Sequence, residues 1–281
     1  AGSALTVAPD IDNIAGLGGQ TVAIPFWYSI HNVVLQKILR EHGLKVVEKN
    51  PQAGEVKLSV MAPSDMVAAL ANRAIAGFIV AEPFNAVAEA KGVGKVLRFS
   101  GDVWRDHACC VTLMQEHDIA RRPEWVQNVV SALVEGQAWA AGHRADTALM
   151  LSKQGPHKYT PHEDKVLQNV LAPAPEAWAR YTESGIIRHP EWHQRRIDFQ
   201  PYPYPSYTEK LVEMLKETHI AGVNRFLDEL SPQHVAQDLV DARFVKQAVE
   251  QGGFAQLFGL NACCFLYPST SPRDVEESRM T

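Results

Sequence analysis

The sequence predicts an α/β fold resting on a mostly parallel sheet, and three observations carry that prediction. Short apolar runs recur at residues 21–25, 56–60, 77–81 and 96–99, each the length of a strand. A stretch with helical spacing of apolar residues follows each of the first three. The handovers are polar and compact: Tyr28-Ser29-Ile30-His31, then Pro63-Ser64-Asp65, then Glu82-Pro83-Phe84-Asn85, with residues 101–107 closing the series. Helix N-termini gathered at one edge of a parallel sheet form a natural site for a small anion.

Taken in order, residues 21–25 read as a buried strand stopped by Pro25. Ser29 is a suitable N-cap for a helix whose stripe is Ile30, Val33, Val34, Ile38 and Leu39, and Gly43 ends it. Residues 56–60 alternate as a half-buried strand does, and Ser64-Asp65 opens a helix carrying Met66, Val67 and Leu70. Residues 77–81 form a fully apolar third strand, Pro83 suits the first turn of a short helix reaching Lys91, and 96–99 is the fourth strand. Beyond Cys110 the run Val111-Thr112-Leu113-Met114 extends the strand pattern. From there the character becomes helical. Residues 123–143 are one long amphipathic helix with Trp125, Val129, Val130, Leu133 and Val134 inside, and further helices cover about 145–153, 161–172, 175–184, 206–220 and 232–251. The Pro/Tyr-rich stretch 198–207 reads as an extended connector in preference to a ligand lid, and 261–281 as a tail.

Composition narrows the function classes. At 281 residues with 46% hydrophobic and 21% charged content, the chain has the make-up of a globular protein with a sizeable core. A net charge of −5 without a basic run argues against a nucleic-acid partner. No apolar stretch approaches the roughly 20 residues that span a bilayer. Residues 1–8 carry no Lys or Arg ahead of their short apolar run, so they do not read as a signal peptide as they stand. The four cysteines form two adjacent pairs, Cys109-Cys110 and Cys263-Cys264, without metal-site spacing; Cys109 and Cys110 are expected to be small buried residues.

The candidate site residues come from the junctions. Ser29 and His31, with the first backbone N–H groups of their helix, could face an anion; the alternative is a plain first-turn histidine. Glu82 could orient a ligand or cap the next helix, and capping is the stronger reading because a carboxylate repels an anion. Asn85 completes that junction. Trp104 offers a flat wall and His107 a switchable donor, against the alternative of a core plug. His189 and His193 have helical i, i+4 spacing but no third ligand, so no metal is assigned. Cys109 beside His107 makes a poor nucleophile–base pair, since such partners are ordinarily distant in sequence. There is no Gly-x-Ser-x-Gly, phosphate-binding loop or dinucleotide fingerprint.

In their order, these segments resemble the substrate-binding proteins of ABC importers in the nitrate/sulfonate/taurine group, whose relatives include binders of thiamine precursors. The resemblance rests on residues 21–25, 29–32, 61–70, 77–85 and 100–111. It implies a type II periplasmic-binding-protein fold of two lobes closing on a small anionic or heteroaromatic ligand, with no catalysis and no cofactor. It also implies permease subunits as partners, a periplasmic or extracytoplasmic location, and membrane association through the transporter. The second lobe would be residues 18–106; residues 1–17 and 107–260 would supply the crossing segment, the first lobe and the C-terminal helices. Ser29, His31, Glu82, Asn85, Trp104 and His107 would be the ligand-binding residues. Two departures accompany it. The chain starts near the crossing segment, leaving the first lobe short of a strand–helix portion, and Cys109-Cys110 stand where nitrate binders tend to carry a basic residue. The alternative is a synthase of the thiamine-precursor type using pyridoxal phosphate and a histidine, for which Lys57 and Lys95 are poor cofactor lysines.

Overall fold

Six short strands with capped helices between them account for the first hundred residues. They are β1 (Ala4–Val7), β2 (Thr21–Ile24), α1 (Ile30–Glu41), β3 (Lys45–Val47), β4 (Glu55–Val60), α2 (Pro63–Ala71), β5 (Gly77–Val80), α3 (Phe84–Ala90) and β6 (Lys95–Phe99). The computed structural model describes residues 2–190 and 197–260, so the expectations for His193, Cys263, Cys264 and the tail 261–281 fall outside the described residues. The chain divides into two compact units. The first comprises Ala1–Cys109, Arg144–Asp198 and Glu217–Asn224; the second comprises Cys110–His143, Phe199–Lys216 and Arg225–Thr281.

All six strands join one sheet of the first unit, in the order β3-β4-β2-β5-β1-β6. β2 runs parallel to β4 and β5, and β3 parallel to β4. β1 is the exception: it lies between β5 and β6 and is antiparallel to both. This strand, assigned from the sequence to the crossing segment 1–17, is therefore a member of the sheet that holds the strands of 18–106. One core packs Met66, Val67 and Leu70 of α2 against Phe78, Val80 and Ala23. The stripe expected of α1 is buried in full, with Val33, Val34 and Leu39 wholly covered. Gly43, at φ +70, turns the chain away from the end of α1, where a side chain would be strained. Phe99, Trp178 and Tyr181 form an aromatic cluster under β6, Phe99 and Tyr181 meeting edge to face at 5.0 Å. The helices α6 (Arg144–Leu151), α7 (Asp164–Leu171) and α8 (Pro175–Glu183) complete this unit.

The second unit, among the described residues, is helical: α4 (Glu116–Arg121), α5 (Pro123–Gly142), α9 (Pro205–Lys216), α10 (Phe226–Glu229), α11 (Pro232–Leu239) and α12 (Arg243–Gly252). Its core joins Val134 and Ala138 of α5 to Ala248 and Val249 of α12, with Tyr202 and Phe258. Tyr202 and Tyr204 pack edge to face at 4.8 Å, so the Pro/Tyr stretch is a connector anchored in that core.

Four expectations are corrected. Residues 111–114 are not a strand: Val111 and Leu113 are 68% and 87% exposed. An extended apolar run becomes a strand only with a ladder partner, and the chain here has left the sheet for an all-helical unit. Cys109 and Cys110 are exposed, not buried, for the same reason. The inner stripe of α5 is Val126, Val134 and Ala138, while Trp125 lies outward with the Arg122 guanidinium 4.4 Å above its ring and Leu133 is 44% exposed. Residues 232–251 break into two helices at Val240, which is extended, and Asp241, whose carboxylate accepts the Arg243 N–H at 3.0 Å.

Candidate functional site

The sheet's direction explains the site. β2, β3, β4 and β5 run the same way, and β6 matches β5 because both oppose β1, so five strands end at one edge. β1 runs the other way, so its first residues arrive at that edge: Ala4 pairs with Val80 and Phe99, the last residues of β5 and β6. The polar junctions after β2, β4, β5 and β6 are thereby collected beside Ser3. An edge of this kind, with helices opening from it, is where α/β sheets bind ligands.

Ser29 caps α1 as expected. Its oxygen accepts the Asn32 N–H at 3.2 Å and its hydroxyl donates to Phe26 O at 2.7 Å, so its one proton is committed to the turn. His31, in the first turn of α1, is only 7% exposed. Its Nε2 lies 2.8 Å from Ser3 Oγ, and its Nδ1 is buried with no partner among the described residues. Burial pushes the imidazole down to about 4, so it is neutral near pH 7. A neutral ring with one satisfied and one orphaned nitrogen costs about 1–3 kcal/mol, a cost that a ligand reaching Nδ1 would remove.

The loop after β6 is fixed by buried charge. Asp102 pairs with Arg98 and also accepts the backbone N–H groups of Arg188 and His189, the latter at 2.8 Å. This holds Trp104 and His107 inside the unit, 8% and 3% exposed, with ring centroids 6.1 Å apart. His107 Nε2 is 2.8 Å from Ser100 Oγ and its Nδ1 is 3.0 Å from Ala108 O. Donation from Nδ1 to that carbonyl leaves Nε2 to accept the Ser100 hydroxyl. Burial keeps this ring neutral as well.

The remaining candidates are drawn into the scaffold. Glu82 Oε2 accepts the Ala86 N–H at 3.1 Å, which caps α3. Asn85 has no exposed surface: its Nδ2 donates to Val80 O and its Oδ1 accepts from Thr6 Oγ1, both at 2.8 Å, so it ties α3 to the sheet. Ser64 donates to Asp65 at 3.2 Å and does not cap α2, whose cap position is Ala62. Lys95 Nζ is held by Asp12 at 2.7 Å. The edge thus brings together His31, Ser3, Cys109, Ser100 and His107, and leaves Glu82 and Asn85 with structural duties.

Ser3 and Ser100 were not singled out as site residues in the sequence, and Cys109 was weighed there only as a buried residue or a partner of His107. Ser3 O accepts the Ser100 N–H at 2.9 Å, and Cys109 Sγ lies 3.8 Å from both Ser3 Oγ and His31 Nε2. His31 is therefore a near neighbour of Cys109. These contacts span 28 to 106 residues and depend on β1 entering the sheet antiparallel, which no local pattern announces.

Solved structures share this mixed α/β sheet. The periplasmic nitrate-binding protein NrtA from Synechocystis superposes with a TM-score of 0.67 at 16% identity, over 96% of this chain and 68% of that one. The ligand-binding component of an ABC-type import system from Staphylococcus aureus, solved with zinc bound, gives 0.62 at 20% identity, over 88% and 70%. The fold is the type II periplasmic-binding-protein fold expected from the sequence. The chain belongs to the NMT1-like family, whose match covers residues 10–152, just over half of it. Among curated proteins, the nitrate/nitrite binding protein NrtA of Nostoc is 31% identical over 85 residues, 30% of this chain and 19% of that protein. The chain spans less than a fifth of the curated relatives it matches.

Proposed function

We propose that the chain is the solute-binding component of an ABC importer, taking a small anionic or heteroaromatic ligand at the strand-end edge of its first unit. The observation that carries this reading is His31: a nine-tenths buried side chain in the first turn of α1 with one ring nitrogen unpartnered. Ser29 shapes that turn, Trp104 and His107 back it, and Glu82 and Asn85 act by holding α3 in place. The lobe drawn at residues 18–106 gains β1 in this reading, with 107–260 supplying the remainder. The named relatives, a nitrate-binding protein and an import-system component, support transport, permease partners and a periplasmic setting. They lend nothing to the synthase alternative.

The test is a thermal-shift screen with nitrate, short alkylsulfonates, carboxylates and pyrimidines. A ligand at a hundred times its Kd should add about 2.7 kcal/mol of stability. His31→Ala should abolish that gain. If no member of these classes raises the melting temperature, the receptor reading fails. A pyridoxal–lysine absorbance band on incubation with pyridoxal phosphate would restore the enzyme alternative.

A further inference from the structure

We infer that Cys109, His31 and Ser3 form a binding site for a soft monovalent cation of the copper(I) or silver(I) type. The inference goes beyond the receptor reading and stands without it.

Three side chains from three segments converge within the first unit: Ser3 just before β1, His31 in the first turn of α1, and Cys109 beyond the loop that follows β6. Sγ and Nε2 are 3.8 Å apart. Metal–sulfur and metal–nitrogen bonds of about 2.3 and 2.0 Å place those atoms about 3.5 Å apart at a tetrahedral angle and about 4.3 Å apart when collinear. The observed spacing falls between, close to a trigonal angle of about 120° by the same bond lengths. Ser3 Oγ, 2.8 Å from Nε2 and 3.8 Å from Sγ, hydrogen-bonds the ring and would move aside by a fraction of an ångström to reach the ion as a third, neutral contact.

The donor set selects the ion. One thiolate, one imidazole and a neutral hydroxyl are too few hard or charged donors for zinc, which takes four, whereas soft d10 monovalent ions favour sulfur and accept low coordination. With the ring proton on the unpartnered Nδ1, Nε2 can give its lone pair to the ion in exchange for its hydrogen bond with Ser3. Cys109 is exposed and His31 buried, so the ion would arrive at sulfur and settle against nitrogen. The step is balanced: the Cys109 S–H bond breaks, a sulfur–metal bond forms, and one proton leaves to solvent for each cation. The neutral thiolate–cation pair avoids placing net positive charge at the N-terminus of α1.

The test uses the full chain carrying Cys110→Ser, Cys263→Ser and Cys264→Ser, so that Cys109 is its single thiol. Silver(I), and copper(I) in competition with bathocuproine disulfonate, are titrated by calorimetry in buffers of differing ionisation enthalpy. One equivalent should bind with release of about one proton per ion, Cys109→Ser should abolish binding, and His31→Gln should weaken it at least tenfold. A second reading needs no variant: the imidazole ¹⁵N spectrum should show Nε2 of His31 shifting on addition of the ion. Binding that is as tight in His31→Gln, an unmoved Nε2 resonance, no stoichiometric binding, or tighter retention of zinc(II) would each overturn the inference. The probes contain no nitrate, sulfonate or pyrimidine, so the outcome is separate from that of the receptor screen.

Discussion

Burying a neutral base at the edge of the sheet should make the protein sensitive to mild acid, and the size of the effect follows from His31. Its imidazole titrates at about 4 in the folded chain against 6.5 in solution, because burial disfavours the charged ring. Between those two values the unfolded chain binds a proton that the folded chain does not. Stability is therefore intact above about 6.5, falls as the pH drops below it, and reaches its full loss below about 4. At about 1.4 kcal/mol per pH unit that interval amounts to about 3 kcal/mol, of which about 2.5 is felt at pH 4.5. His107 is held down in the same direction and adds to the slope. A double difference isolates His31: urea unfolding of wild type and His31→Gln, each at pH 7.5 and pH 4.5. The glutamine variant should lose about 2.5 kcal/mol less on acidification than the wild type. Equal losses in the two proteins would refute the placement of His31 as a buried neutral base.

Other consequences are open to the same measurement. Asp102→Ala strands Arg98, whose side chain is 10% exposed, and removes the acceptor of two backbone N–H groups; a loss of about 3–5 kcal/mol in urea is expected. Gly18→Ala would bring a Cβ within 1.8 Å of Ala53 O, so the loop must shift and the urea midpoint should fall by the equivalent of about 1–3 kcal/mol. Thr6→Val leaves Asn85 Oδ1 without its 2.8 Å donor and should cost about 1–3 kcal/mol in thermal or urea unfolding. On α5, Trp125→Ala should cost less than about 1 kcal/mol while Val134→Ala should cost about 2, because only Val134 is in the core.

How much was legible depended on how local the determinant was. The cap at Ser29, the stripe of α1, the stop near Gly43 and strands β2, β4, β5 and β6 follow from periodicities and turn chemistry within a dozen residues, and all were readable. The run 111–114 and the stripe of α5 were misread, since both depend on which neighbour the chain meets: a ladder partner in one case, the packing of α12 in the other. Among the site residues, His31, Trp104 and His107 could be found because they stand at strand ends. Glu82 and Asn85 stand there too: Glu82 accepts the Ala86 N–H within its own junction, as the capping reading expects, while Asn85 donates to Val80 O and accepts from Thr6, the last a contact 79 residues away that no local pattern announces. Ser3 and Cys109 were beyond reach, because their proximity to His31 is a property of strand direction.

The antiparallel entry of β1 also imposes an order of assembly. During synthesis the segment Ala4–Val7 emerges before its two neighbours, Gly77–Val80 and Lys95–Phe99, which follow about seventy and about ninety residues later. The gap it fills exists only once β5 and β6 are both made. Closing so long a loop is slow relative to local helix formation. The Ser3–His31–Cys109 cluster consequently depends on β1 having entered between β5 and β6, so that edge is complete only when the sheet is.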